Sequence, residues 1–228
     1  MIFICSHKDF DFDIPIHKEN YNEYSIICRE KLNNDYPINI IYDNDNFLNK
    51  WSDLYGDMTY HYYVYKHINE FDDIIGFIQY KRYFLQYILN NYKDILKKYD
   101  VILYAKWDCE GQNLINNFNA YHGQGKLLKN IIDLIYQYKP SYRSYDLYNI
   151  DYIIPHNMYI MKKQDYIEFC KFMFWCYELI NIKYEIYKQY DNIDYLRIFS
   201  FLGERLSTIF YAKHFKNKTY FIHIIRIN

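Results

Sequence analysis

Between residues 38 and 104, short apolar runs alternate with segments of helical periodicity. No other feature restricts the fold of this chain as much. Ile38-Asn39-Ile40-Ile41-Tyr42 reads as a strand. From Trp51 to Ile68, Leu54, Met58, Tyr62, Tyr65 and Ile68 recur at helical spacings. Ile74, Ile75, Phe77 and Ile78 then form a continuous apolar run, the pattern of a strand covered on both faces. Gly76 interrupts that run, where a glycine marks a bulge or a close backbone approach. Residues 85–98 return to helical spacing through Leu85, Ile88, Leu89, Tyr92 and Leu96, and Asp100-Val101-Ile102-Leu103-Tyr104 is again a strand. Strand, helix, strand, helix, strand implies right-handed crossovers and a mostly parallel central sheet flanked by helices, an α/β fold.

The flanks extend this pattern. Ile2-Phe3-Ile4-Cys5 reads as a first buried strand, and Pro15 puts Ile14-Pro15-Ile16 in a loop or sheet edge. Residues 21–36 show no period. Lys106 to Gly125 holds three of the six glycines and reads as a long loop of the kind that carries function. A short helix follows around Leu127 to Ile135, then a loop from Pro140 to Asn149, then turn and strand from Tyr152 to Met161. Helices are expected over 164–180 and 194–213, the second with Leu196, Phe199, Leu202, Leu206 and Phe210 inward, and a closing strand from Tyr220 to Ile227. With no repeat and no linker, residues 1–228 read as one domain.

Charge narrows the partners. The 27 basic and 28 acidic residues nearly cancel, which argues against a general nucleic-acid or membrane-surface binder. Tyrosine reaches 31 residues. Tyr, Ile, Asn and Lys all have AT-rich codons, so most tyrosines reflect an AT-rich genome and fill core and surface with ring buried and hydroxyl wet. The five cysteines have no zinc spacing and read as buried thiols of a reducing compartment. The apolar start is too short for a secretory signal, and no run is long enough to span a bilayer. A cytoplasmic protein without a transmembrane segment is the expectation.

Four places could carry chemistry. Lys81 and Arg82 follow the Ile74–Ile78 run, at the strand end where open α/β sheets bind ligands. Two cations there suit a phosphate, or form a solvated surface pair. Asp43-Asn44-Asp45 follows a strand and suits either Mg²⁺ or Mn²⁺ bound to a diphosphate, or an Asx turn; Asp108-Cys109-Glu110 has the same two readings. His156 and Asn157 after Pro155 can bond a sugar or a pyrophosphate, or serve structure alone. Glu204 lies off the Leu202/Leu206 face, with Arg197 two turns before it and Arg205 beside it. It could be a general base or half of a surface ion pair. The dinucleotide, P-loop and serine-hydrolase motifs are absent.

These segments, in their order, resemble a family of exopolysaccharide and capsule-type glycosyltransferases catalogued as a domain of unknown function. The family opens on a strand ending Thr-His-Lys, similar to Ile4-Cys5-Ser6-His7-Lys8, followed by Ile-Pro-Ile, as in Ile14-Pro15-Ile16. An Asp/Asn-rich turn corresponds to Asp43 to Asn46, and a Glu-Leu-Thr helix to Asp57-Met58-Thr59. The hallmark Ile-Gly-Leu-x-His-Tyr-Arg-Arg-Tyr-Phe matches Ile75 to Phe84, with Gln79 in place of His and Lys81 in place of the first Arg. His-Asn-Met-Phe-x-Met-Lys-Lys matches His156 to Lys163, and Gly-Tyr-x-x-Glu-Arg-Leu matches Ser200 to Leu206.

The resemblance implies a single GT-A-like (Rossmann-like) domain that transfers a sugar from a UDP- or dTDP-type donor to a glycan hydroxyl. The setting is polysaccharide or surface-glycan synthesis. On this reading Glu204 is the base, and Lys81 and Arg82 face the diphosphate. His7, Lys8, Asp43, Asp45, Gln79, Tyr80, His156, Asn157, Arg197 and Arg205 bind substrate, with Asp43 and Asp45 taking Mn²⁺ or Mg²⁺ if a metal takes part. The alternative is a catalytically degenerate nucleotide- or glycan-binding protein on the same fold.

Overall fold

The computed structural model describes residues 1–42, 55–184, 197–215, 218–222 and 224–226. Strands β1 (Ile2–Cys5), β2 (Tyr24–Cys28) and β3 (Asn39–Tyr42) come first, then helix α1 (Met58–Lys66). Strands β4 (Ile74–Gln79) and β5 (Arg82–Phe84) precede α2 (Gln86–Ile95) and β6 (Val101–Tyr104). The short β7 (Trp107–Asp108) leads to α3 (Leu114–His122) and α4 (Gly125–Tyr138). After β8 (Tyr152–Ile153) and β9 (Tyr159–Lys162) come α5 (Lys163–Tyr184), α6 (Ile198–His214), β10 (Thr219–Ile222) and β11 (Ile224–Arg226).

Among the described residues the main sheet has the order β10-β6-β9-β4-β1-β2-β3, with β5 and β11 attached beside β4. Along that path β9 alone runs against its neighbours, so the sheet is mostly parallel, as the alternation implied. β1 and β4 alternate their side chains between two cores, which is why their apolar runs are continuous. Phe3, Ile75 and Phe77 join the layer built with α1, α4, α5 and α6. Ile2, Ile4 and Ile78 join the opposite layer with α2. Gly76 is a close approach: a Cβ there would lie 3.0 Å from Ile160 Cγ1 and 3.1 Å from Ile2 Cγ1.

Several expectations change. The unperiodic segment 21–36 contains β2, which is buried throughout and pairs with β1. Strand β9 inserts between β4 and β6, so these consecutive strands of the alternation are not neighbours. The expected loop from Lys106 to Gly125 contains β7 and α3; Asn113 Oδ1 caps α3 by accepting from Asn116 N–H at 2.8 Å. The closing segment is two strands, β10 parallel on β6 and β11 antiparallel on β5. No helix among the described residues is long and apolar enough to cross a membrane.

Helix α6 is buried over most of its circumference, and Gly203 makes this packing close. A Cβ at Gly203 would lie 2.6 Å from the Tyr177 hydroxyl, which donates to Phe199 O at 3.0 Å. Gly203→Ala is expected to lower folding stability by about 1–3 kcal/mol, as overpacking does. A denaturant melt checks it.

Candidate functional site

A cavity of about 550 Å³ lies at the carboxyl end of β4, beside the turn that enters β9. The β4–β5 hairpin supplies two of its groups. Gln79 and Arg82 pair directly across the two antiparallel strands, so their side chains share a face. Arg82 Nη1 donates to Gln79 Oε1 at 2.9 Å. Tyr80 and Lys81 form the turn between them and point elsewhere. Tyr80 is buried against Phe10 and His7, and Lys81 is exposed with its ammonium 5.4 Å from the Tyr80 ring.

The start of α1 supplies a carboxylate. Gly56 has φ +53, and a Cβ there would lie 2.7 Å from Ser200 Oγ on α6. This close, left-handed residue brings Asp57 up to α6. Asp57 occupies the N-cap of α1 but makes no side-chain cap bond. Its Oδ2 accepts from Gln79 Nε2 at 2.5 Å, and the same Nε2 donates to His156 O at 3.3 Å.

Helix α6 grips the turn before β9. Glu204, Ser207 and Thr208 share one helical face by their spacing of three and four. Glu204 Oε1 accepts from His156 N–H at 2.9 Å, Ser207 Oγ bonds Asn157 Oδ1 at 3.3 Å, and Thr208 Oγ1 accepts from Ile154 N–H at 2.9 Å. His156 and Asn157 both have positive φ, +73 and +49. Non-glycine residues hold such angles where their surroundings enforce them, and His and Asn tolerate them better than most. Arg205, 4% exposed, donates to Glu204 Oε2 at 3.2 Å, Phe201 O at 3.0 Å and Asn117 Oδ1 at 3.3 Å. The surface-pair reading of Glu204 and Arg205 therefore fails, since both are tied into the interior of the site.

Burial governs the titration of these groups. It raises the Glu204 carboxyl, opposed by Arg205 and the His156 N–H; the Asp57 charge adds to the rise. Asp57 is likewise raised by burial, opposed by the Gln79 hydrogen bond and by His7, Arg197 and Arg82. Burial lowers Arg205, opposed by Glu204. His122, stacked on Phe201 at 4.2 Å, is lowered to about 4 by burial and by Arg205, so it is neutral at pH 7. The arrangement can hold an anion on Arg82 and Arg197 while presenting two carboxylates of raised proton affinity.

The fold thus brings Gln79, Arg82, His156, Asn157, Arg197, Glu204 and Arg205 to one cavity. His7, Lys8, Tyr80 and Lys81 do not line it. They form an adjoining patch in which Asp57 raises the His7 pKa and Lys8, Lys81 and Arg29 lower it, burial being the largest influence and also lowering it. Asp43 and Asp45 lie outside the described residues. Among those described, no group of three or more His, Cys, Asp or Glu is placed to hold a metal.

Sequence reasoning missed Asp57, Asn117, Tyr121 and His122 as lining residues. Asp57 has the sequence signature of a helix cap, and only its unused cap geometry separates the roles. Asn117, Tyr121 and His122 were hidden because α3 was read as loop; Asn113 before Leu114 and Phe118 was the available signal. Of Asp108-Cys109-Glu110, Asp108 and Glu110 line the cavity. Asp108 Oδ1 accepts from Gly111 N–H at 3.1 Å in an Asx-type turn, and Glu110 accepts from the Tyr121 hydroxyl at 2.8 Å.

A family model described as Domain of unknown function (DUF4422) matches residues 1–217. No curated protein matches the sequence. Among solved structures, the apo structure of the WbbM bifunctional glycosyltransferase is similar, with a TM-score of 0.77 and 17% identity. The match covers 100% of this chain and 45% of that one, so this chain spans less than half the length of its structural neighbour. At that identity the likeness is one of fold: a mixed α/β fold with a mostly parallel central sheet, similar to that of a glycosyltransferase.

Proposed function

The chain belongs to the family described as Domain of unknown function (DUF4422), and we propose that it is a glycosyltransferase acting on a nucleotide-sugar donor. The donor is of UDP or dTDP type, and the acceptor is a glycan hydroxyl in polysaccharide or surface-glycan synthesis. One observation carries this reading. Arg82 has no ion pair among the described residues, yet it lines a cavity that also contains the half-buried carboxylates Asp57 and Glu204. An uncompensated guanidinium beside proton acceptors suits a reaction in which an anion leaves as a hydroxyl attacks.

In this reading Glu204 takes the proton from the acceptor hydroxyl as its oxygen bonds to the anomeric carbon. The bond from that carbon to the donor diphosphate breaks, and the electron pair leaves on the diphosphate oxygen that Arg82 faces. Lys81 and the His7–Lys8 patch lie beside the same strand ends and hold the rest of the nucleotide. His156 and Asn157 line the sugar or acceptor side, and Arg197 contributes a second charge at the rim. If a divalent cation takes part, Asp43 and Asp45 would hold it and it would neutralise the diphosphate. Sugar transfer that survives EDTA supports Arg82 in that role, and strict Mn²⁺ dependence moves the role to those aspartates.

A panel of nucleotides and nucleotide sugars in a thermal-shift assay tests the reading. A UDP or dTDP sugar is expected to raise the unfolding midpoint by mass action, and to be hydrolysed or transferred. Binding without turnover would identify a binding protein on the same fold, and no shift with any nucleotide would remove the assignment.

A further inference from the structure

Gln79 is oriented from both ends. Its amide nitrogen faces two groups that only accept, Asp57 Oδ2 at 2.5 Å and His156 O at 3.3 Å. Its amide oxygen faces a group that only donates, Arg82 Nη1 at 2.9 Å. Flipping the amide would set oxygen against oxygen and nitrogen against nitrogen, so one orientation is allowed. We propose that Asp57 and Gln79 are positioning residues, a relay that fixes the Arg82 guanidinium in the cavity. The relay's part in catalysis rests on the reading that Arg82 faces the donor diphosphate.

Three further observations support the relay. Among the described residues, the bond to Gln79 is the one hydrogen bond of the Arg82 side chain, so nothing else there sets the angle of its planar fork. The cross-strand register of Gln79 and Arg82 brings them together without a turn residue between their side chains. Asp57 stands at a helix N-cap, where an aspartate ordinarily accepts from the first backbone N–H groups; here it makes no cap bond and turns to Gln79 instead. Its residue type is therefore explained by Gln79 rather than by the helix. The charge of Asp57 polarises the amide, and the polarised amide oxygen holds Arg82 more firmly than a neutral partner would.

A mutant cycle in the full chain tests this. Gln79→Ala removes the acceptor that faces Arg82. It is expected to loosen Arg82 and to weaken UDP binding at least about 10-fold, roughly 1.4 kcal/mol. Asp57→Ala keeps that acceptor but frees the amide that carries it, and is expected to act in the same direction. Because Asp57 acts through Gln79, the double variant is expected to bind UDP no more weakly than Gln79→Ala, a non-additive pair. The side-chain ¹⁵N resonances of Arg82 give a readout independent of nucleotide. Restricted rotation is expected in the wild type, and averaging in both single variants. Additive losses of UDP affinity overturn the relay, as do unchanged Arg82 resonances in Gln79→Ala. If those resonances respond as expected while the wild type binds neither UDP nor dTDP, the relay stands and the donor reading fails.

Discussion

Arg82→Ala is expected to fold normally and to lose at least about 10²-fold in sugar-transfer turnover, the usual loss when one pre-placed donor to a developing oxyanion is removed. The side chain is only half-buried and has no ion pair among the described residues, so its removal breaks no salt bridge. The Gln79 oxygen left behind borders the cavity and can be hydrated. The midpoint of thermal unfolding should therefore move little while turnover collapses, and measuring both on one preparation separates chemistry from folding. Arg82→Lys should recover only part of the rate, because a point charge cannot present the planar fork. The guanidinium also lowers the pKa of both Asp57 and Glu204, so the acid limb of any residual activity should move upward in pH. Near-normal transfer by Arg82→Ala would remove the leaving-group role.

Glu204→Gln should cost about 10²–10⁴-fold in turnover, the range of general-base catalysis. It should also cost stability, because Arg205 is buried and loses its charged partner, and a buried bond left unmade costs about 1–3 kcal/mol. The assay therefore belongs well below the melting midpoint of the variant. The pH dependence gives a second check. Burial raises the Glu204 carboxyl above its ordinary 4.5, so the folded state binds this proton more tightly than the unfolded chain does. Stability from this group is complete below the unfolded value and is lost as pH rises through the folded one. Activity runs the other way, since the base must be ionised. Acidification across that window should thus raise this group's contribution to stability while turnover falls, and Glu204→Gln should flatten both slopes. A pH–rate profile whose acid limb is unchanged in Glu204→Gln would transfer the base to another group.

How much of this could be read from residue order alone depends on how local the cause is. The strands at Ile2–Cys5 and Ile74–Gln79 were legible because burial on both faces demands a continuous apolar run. Strand β2 was not, because Tyr24 and Ser25 break that run and only its position beside β1 buries them. The inward face of α6 followed from spacing at Phe199, Leu202, Leu206 and Phe210, and the same spacing set Glu204 apart from it. Helix α3 was hidden by the three glycines around it, although Asn113 caps it in the ordinary way.

By itself, then, the order of residues determined the α/β class, the two-sided burial of β4 and the presence of cations at its end. All three follow from local periodicity and from the steric demands of strands and helices. What Lys81 and Arg82 do there was decided by tertiary structure. The one-residue difference across a tight antiparallel hairpin sends Arg82 into the cavity beside Gln79 and leaves Lys81 outside on Tyr80. Asp57 became a site residue, rather than a helix cap, because left-handed Gly56 carries it against α6. Glu204 became part of that site because the turn at His156 and Asn157 binds its carboxylate. These contacts join residues as far apart in sequence as Gly56 and Ser200, and no local period encodes them.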